Sequence, residues 1–194
     1  MRKRILDIFL SLILTAGMFV TPAFAGSVFP DVSDSADYAW AAKLTKEMGI
    51  FAGDNKGNFN PDKGITRAEC AVVVYRLLGE TADAATMTTN AFTDVPKSHW
   101  ANGYIAWAYS KGFISGYGNG KFGPSDMVTY EQAITMLMAG IGYSDAAVDA
   151  GGYPNGYISV ADNYGFLNGV ENTFGNVITR ANIAVLVANM ITIR

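Results

Sequence analysis

Apolar residues along the chain fall into short helical patterns separated by glycine-rich turns. Tyr38, Ala41, Ala42, Thr45 and Met48 are spaced as on one buried helix face. Gly49 follows as a residue able to take the positive φ that ends such a helix. The turn segment Asp54-Asn55-Lys56-Gly57 comes next, then Phe59, which is expected to plug a small core, and Pro61, which redirects the chain. A second helix is predicted to open at Thr66-Arg67-Ala68-Glu69. Thr66 there can accept from an early backbone N–H while Glu69 reaches back to the cap, a capping box. The apolar stretch Ala71 to Leu78 lies behind it, and Ile134 to Met138 and Ile183 to Met190 have the same character.

These patterns repeat. A shift of 63 positions aligns Phe29, Asp31 and Val32 with Phe92, Asp94 and Val95, Gly49 with Gly112, and Gly53 with Gly116. The same register carries Gly57, Phe59, Pro61, Thr66 and Gly79 onto Gly120, Phe122, Pro124, Thr129 and Gly142 without a gap. A shorter, more worn third copy matches Gly156-Tyr157-Ile158 to Gly103-Tyr104-Ile105, Gly165 to Gly169 with Gly112 to Gly116, and Ile178-Thr179-Arg180-Ala181 to Ile65-Thr66-Arg67-Ala68. Thr129-Tyr130-Glu131-Gln132 keeps the box with Gln, whereas Thr179-Arg180-Ala181-Asn182 keeps only the cap. The expected division is 28–79, 92–142 and 150–191, with 80–91 and 144–152 as linkers. One two-helix unit cannot bury enough surface to stand alone, so the expected fold is all-α, with three helix-loop-helix repeats packed on one another.

The first residues differ in kind. Arg2, Lys3 and Arg4 precede an apolar run from Ile8 to Val20, and Ala23-Phe24-Ala25 supplies small residues for cleavage. Residues 1–25 therefore read as a secretory signal peptide, the run being shorter than the roughly 18–20 residues that span a bilayer. No membrane insertion is expected once it is removed. Its loss takes away three basic residues and one acid, and moves the net charge from −3 to −5. An acidic chain without a Lys/Arg cluster is not a general nucleic-acid partner.

Cys70 is the only cysteine and His99 the only histidine, which excludes an internal disulfide, a Cys-based zinc site and a Ser-His-Asp arrangement. Cys70, among Ala68, Ala71, Val72 and Val73, reads as a buried apolar residue. A calcium loop from Asp54 to Asp62 is disfavoured, because Lys56 occupies a ligand position and the required Gly and terminal Glu are missing.

Taken together, Phe92-Thr93-Asp94-Val95, Trp100-Ala101, Gly112-Phe113-Ile114-Ser115-Gly116, Gly120-Lys121-Phe122-Gly123-Pro124 and Ile65-Thr66-Arg67-Ala68-Glu69 resemble the S-layer homology family. The resemblance covers essentially the whole chain after residue 25. It implies three copies in a pseudo-threefold helical bundle with ligand grooves between neighbours. The implied ligand is a secondary cell-wall polysaccharide, commonly carrying pyruvate ketals whose carboxylates are negative.

The residues around each Thr-Arg-Ala segment point the same way on their own chemistry. With Thr66 or Thr179 as cap, Arg67 or Arg180 stands at the first helical position, beside N–H groups without partners in the helix and at the positive end of its dipole. An anion is expected there, met by a planar guanidinium suited to a carboxylate. The same arginine can instead pair with a nearby acid such as Asp31 or Asp94. Those aspartates precede the first helices, where they are placed to cap; the resemblance puts them near the groove. Trp100 is the aromatic expected at a groove and Trp107 the one expected in a core, with Tyr104, Tyr153 and Tyr157 as further candidates for sugar stacking. Gly53 and Gly116 join the candidate ligand-binding set through the conserved register of their loops within this chain. Repeat two has Tyr130 in place of arginine, so its groove is expected to bind weakly or differently.

Two function classes follow. One is non-covalent anchoring to the cell wall through the polysaccharide, without a cofactor. The other is a structural surface subunit that packs against other surface-layer proteins. An enzyme is disfavoured: wall hydrolysis needs paired carboxylates in a deep cleft, and of Glu47, Glu69, Glu131 and Glu171 the second is already explained by capping.

Overall fold

Each predicted Thr cap does start a helix, and the glycine after each first helix ends one. In the computed structural model, which describes residues 28–80, 84–88 and 91–193, Thr66 Oγ1 accepts from Glu69 N–H (3.2 Å) and Glu69 Oε2 accepts from Thr66 N–H (2.7 Å). The cap at Thr179 likewise accepts from Asn182 N–H (3.2 Å). The box at Thr129 is present but slack: Gln132 Oε1 accepts from Thr129 N–H at 3.3 Å, while the buried Thr129 Oγ1 meets no partner at hydrogen-bonding geometry. Gly49, Gly112 and Gly165 take φ of 69°, 74° and 76° just past their helices, a left-handed turn that favours glycine.

The described residues form seven α-helices and no strand. They are α1 Ala39–Glu47, α2 Arg67–Leu77, α3 Asn102–Ser110, α4 Tyr130–Gly140, α5 Ser144–Asp149, α6 Asn155–Asn163 and α7 Arg180–Thr192, with a short 3-10 turn at Ala84–Thr86. The fold is all-α. The signal peptide expected over residues 1–25 lies outside the described residues. One expectation is corrected here: the stretch 144–152 is not a plain linker, because Ser144–Asp149 is helical and packs on α6, with Ala147 fully buried. Gly151 and Gly152 drew attention to the turn and hid the helix before it.

The helices pair across the chain rather than within each predicted repeat. The extensive contacts are α3 on α2, α6 on α4 and α1 on α7, with α2 also on α4. Thus the first helix of each predicted repeat packs on the second helix of another, α6 lying on α5 as well. Three short backbone bridges do the same: Thr66 pairs with Met127, Thr129 with Val177, and Gly64 with Thr179, all antiparallel. The three contacts join the segments preceding α2, α4 and α7 in a closed ring. Ile65, Val128 and Ile178 occupy these segments and are fully buried.

Around this meeting point the loops carry their own plugs. Phe59 packs on Phe29 with centroids 5.0 Å apart, and Phe122 on Phe92 at 5.3 Å, all four rings buried. Burying such a side chain is worth about 1.5–3 kcal/mol, so these rings anchor loops that have no regular structure. Cys70 is fully buried in α2, and burial pushes its thiol up to about 12.

Candidate ligand-binding interfaces between helix pairs

The helix starts are not bare. Arg67 N–H donates to Asp126 O (2.8 Å), Ala68 N–H to Pro124 O (3.1 Å), and Glu69 N–H to the Thr66 hydroxyl. At α7, Arg180 N–H donates to Lys63 O (2.8 Å), Ala181 N–H to Pro61 O (3.0 Å), and Asn182 N–H to the Thr179 hydroxyl. This overturns the expectation of free backbone donors awaiting an anion. The partners come from loops about 60 or more residues away in sequence, which no local pattern announces.

The arginine side chains go to the same loops. Arg67 Nε donates to Phe122 O (2.8 Å) and Nη2 to Ser115 O (2.9 Å), and the guanidinium lies 4.6 Å from the Phe122 ring centroid and 4.8 Å from that of Tyr117. Arg180 repeats this against the first loop: Nε to Phe59 O (2.7 Å), Nη2 to Ala52 O (3.3 Å), and the rings of Phe51 and Phe59 at 4.9 and 5.1 Å. Phe59 and Ala52 stand in the same register as Phe122 and Ser115, so the two sites are built alike. Neither arginine pairs with Asp31 or Asp94, and no carboxylate lies within ion-pair distance of either among the described residues. Carbonyl oxygens and ring faces hold these cations without cancelling their charge.

Asp31 and Asp94 act one step behind. Asp31 accepts from the N–H of Phe59 (2.7 Å) and Asn60 (2.6 Å), and Asp94 from Phe122 (2.9 Å) and Gly123 (2.8 Å). They cap no helix, since Tyr38 and Ala101 stand at the N-caps of α1 and α3. Each carboxylate clamps the peptide whose carbonyl receives the arginine. Desolvation works against ionisation of Asp94, and the N–H groups of Phe122, Gly123 and Asp94 itself together with the charge of Lys121 outweigh it, holding its carboxyl below the usual range.

Gly53 and Gly116 close the same loops. A Cβ on Gly53 would fall 2.7 Å from the Gly57 carbonyl carbon, and one on Gly116 would fall 2.6 Å from the Phe92 ring. They are places of close backbone approach. Trp100 is 61% exposed and stacks on His99 at 5.8 Å, while Trp107 is buried against Tyr75 and Phe113.

Two tyrosines share the field of Arg67, and of these only Tyr153 was a stacking candidate in the sequence. Tyr117, 49% exposed, donates to Asp126 Oδ2 (2.9 Å) and lies on the guanidinium. Tyr153, 58% exposed, comes from the third predicted repeat; partial burial and the charge of Glu131 raise its phenol while Arg67 opposes them, which puts all three groups in one field. The offset that matches Gly156 to Gly103 makes Tyr153 the counterpart of Trp100. At the Arg180 interface, desolvation lowers the guanidinium's affinity for its proton and the charges of Glu69, Asp31 and Asp54 oppose that fall.

The third interface differs. Tyr130 N–H donates to Asn176 O (3.0 Å), the same bond that Arg67 makes to Asp126 and Arg180 to Lys63. Four residues before each acceptor stand Phe122, Phe59 and, in the third loop, Asn172. The third loop thus lacks the ring plug, and no Phe-x-Asp precedes it. A cavity of about 470 Å3 opens there, with the Tyr130 side chain as one wall.

Comparison with known proteins matches this architecture to a family. Residues 28–71 and 91–134 each match the model of the S-layer homology domain. The chain is 35% identical over 164 residues to a cell surface protein of Thermoanaerobacter kivui, covering 84% of this chain and 21% of that protein. It is 32% identical over 131 residues to a surface layer protein of Brevibacillus choshinensis, covering 67% of this chain and 12% of the relative. It is 35% identical over 111 residues to a cellulosome-anchoring protein of Acetivibrio thermocellus, covering 56% and 25%. The chain spans a quarter or less of the length of these curated relatives. The loops that receive Arg67 and Arg180 both lie within the two matched segments, so the sites are built from the parts of the chain that are similar to the S-layer homology domain.

Proposed function

We propose that this protein anchors itself non-covalently to the bacterial cell wall, by binding an anionic secondary cell-wall polysaccharide at the interfaces crossed by Arg67 and Arg180. On this reading residues 28–79, 92–142 and 150–191 are three copies of one unit about a pseudo-threefold axis, which the cyclic order of bridges and helix contacts supports. The protein acts after signal cleavage, outside the cell, and catalyses nothing. Relatives named as surface, surface-layer and anchoring proteins support the setting.

The observation that carries the proposal is the state of the two guanidiniums. Each is fixed by two carbonyl oxygens and two ring faces, in an acidic chain, with no carboxylate at ion-pair distance among the described residues. Nη1 makes no hydrogen bond among the described residues in either case. A positive group held rigidly and not ion-paired suits a carboxylate such as a pyruvate ketal, at no further cost in ordering the arginine. Tyr117 supplies a half-exposed ring face on the Arg67 guanidinium, with Tyr153 in the same electrostatic field, and on the threefold reading Trp100 holds the position toward Arg180 that Tyr153 holds toward Arg67. Thr66, Thr179, Asp31, Asp94, Gly53 and Gly116 shape the cradle and are not first contacts. Two or three interfaces acting on one polymer would gain avidity over any one.

The test is co-sedimentation with purified cell walls of a bacterium whose surface proteins use these domains, before and after removal of the secondary polymer and after chemical depyruvylation. Retention on the intact wall alone is the expected result. Equal retention on all three walls would sink the ligand assignment. A second reading, a surface subunit acting through protein contacts, is favoured by one observation: every helix-start donor and two donors of each arginine are already committed internally. Self-association with unchanged retention on stripped walls would support it.

A further inference from the structure

The segments that meet in a ring ahead of α2, α4 and α7 bury Ile65, Val128 and Ile178, but the residues just before these face solvent. Met127 is 45% and Val177 42% exposed, and Lys63, Asp126 and Asn176 beside them are exposed as well. The apolar pair is contiguous. A Cβ on Gly64 would fall 2.5 Å from Val177 Cγ1 and 3.4 Å from Met127 Sδ, so both side chains lean over the glycine. Backbone register equates the outer three residues, since the carbonyls of Lys63, Asp126 and Asn176 accept from the N–H of Arg180, Arg67 and Tyr130. The ring therefore carries one cation, one anion and one neutral amide about a small apolar centre.

We propose that this face pairs with the same face of a second copy of the chain, about a twofold axis. Two identical rings laid face to face run in opposite senses, so a twofold keeps one segment opposite itself and exchanges the other two. With Asn176 on the axis, Lys63 of each copy lies opposite Asp126 of the other, and two amides able to donate and accept meet beside them. Either alternative sets Lys63 against Lys63 or Asp126 against Asp126. Charge thus selects one register of three. In that register Met127 faces Gly64, which has no side chain to obstruct it, Val177 faces Val177, and Asp62 falls opposite Ser125. Asp126 keeps one carboxylate oxygen for the contact, Oδ2 accepting from the Tyr117 hydroxyl. Few residues take part against the roughly 20–30 per side of a standard interface, so the pairing is weak and belongs to crowded surfaces.

Pairing rests on the ring of bridges and not on wall binding, and it is read with no wall polymer present, so its failure leaves the anchoring proposal standing. Sedimentation of residues 26–194 over about 20 µM to 1 mM, with the methyl shift of isotope-labelled Met127 followed in parallel, tests it. A rise in mass towards the dimer with a concentration-dependent Met127 shift is expected, both weakening as salt screens the charge pairs. Lys63→Glu and Asp126→Lys should each raise the dissociation constant at least about tenfold, because each sets like charges together. An equimolar mixture of the two variants should recover the association, since every charge then meets its opposite across the face. Lys63→Glu alone decides the matter if loss of the Tyr117 bond unfolds the other variant, as a melting scan will show. A monomer across the whole range, association untouched by Lys63→Glu, single variants that associate as well as their mixture, or a Met127 shift seen only on adding cell wall would each overturn the proposal.

Discussion

At the Arg67 interface a guanidinium joins two helix pairs through two carbonyls, whereas at the Tyr130 interface a buried phenol stands beside an open cavity. The backbone bond that starts the helix is the same in both. What differs is a set of three residues. Asp94 fixes the Phe122 peptide, Phe122 fills the space beneath it, and Arg67 takes the carbonyl so presented. In the third loop Asn172 replaces the phenylalanine, the aspartate has no counterpart, and the arginine that would arrive is Tyr130. A fork that binds two carbonyls at fixed positions is useful only where a clamp and a plug hold those carbonyls. The tyrosine is therefore one member of a coordinated loss, not an isolated change.

The largest effect that would break this comparison is at Arg67. Arg67→Ala leaves two carbonyls without their partner in a site where the arginine is only 7% exposed. At about 1–3 kcal/mol for each unmet acceptor, a loss of about 3 kcal/mol is expected, or about 6–12 °C in melting temperature for a domain of this size. Calorimetry checks it; a shift below about 3 °C would mean that the fork is not a structural joint. Arg180→Ala should cost less, about 2 kcal/mol, because its second bond is longer (3.3 Å) and the side chain is less buried. Wall binding by these variants has to be measured well below both transitions. Otherwise lost structure will pass for lost contact.

Next in size is the clamp. Asp94→Ala removes the acceptor of two backbone N–H groups at a partly exposed site, and about 2 kcal/mol is expected in chemical denaturation. The caps sharpen the comparison further. Thr66→Ala should cost about 1 kcal/mol, whereas Thr129→Ala should cost under about 0.5 kcal/mol, because Thr129 Oγ1 is already buried without a partner. Equal costs would show that the slack box is as strong as the good one.

The smallest effect is confined to one turn. Asp54 Oδ2 accepts from Asn60 Nδ2, and Asp54 Oδ1 from the N–H of Asn58 and Lys56, which holds its carboxyl at about 2. A lowered folded-state value stabilises the loop above the ordinary aspartate range near ~4 and loses that contribution as pH falls towards about 2. Amide exchange at Lys56 and Asn58 should therefore quicken over that interval before the helices respond, and Asp54→Asn should remove the pH dependence.

Much of the helical frame was legible because its signals are local. A Thr three residues before Glu, a Gly after an apolar face and a Phe before a Pro each act within a few residues of themselves. Thr66, Gly49 and Phe59 behave in the structure as the sequence reads. The candidate sites were less legible because their partners are remote. Nothing near Arg67 reveals that Asp126, Pro124, Phe122 and Ser115 will meet it, so its helix start looked open when it was filled. Asp31 and Asp94 looked like caps because they precede helices, yet their carboxylates turn to loops 28 and 29 residues ahead. The cavity did leave a trace, an Asn at the position of two phenylalanines when the third copy is aligned from its Ile178-Thr179-Arg180 segment, but nothing local to Asn172 says that the space stays open.

The closure of α1 onto α7 bears on how the molecule comes into being. The Arg180–Phe59 bond spans 121 residues, so the first loop, though packed on Phe29 and clamped by Asp31, lacks its guanidinium until the final helix is available. A growing polypeptide can form individual turns, but it cannot seal its interior part-way through synthesis. Such late latching defers compaction until the C-terminal segment is present.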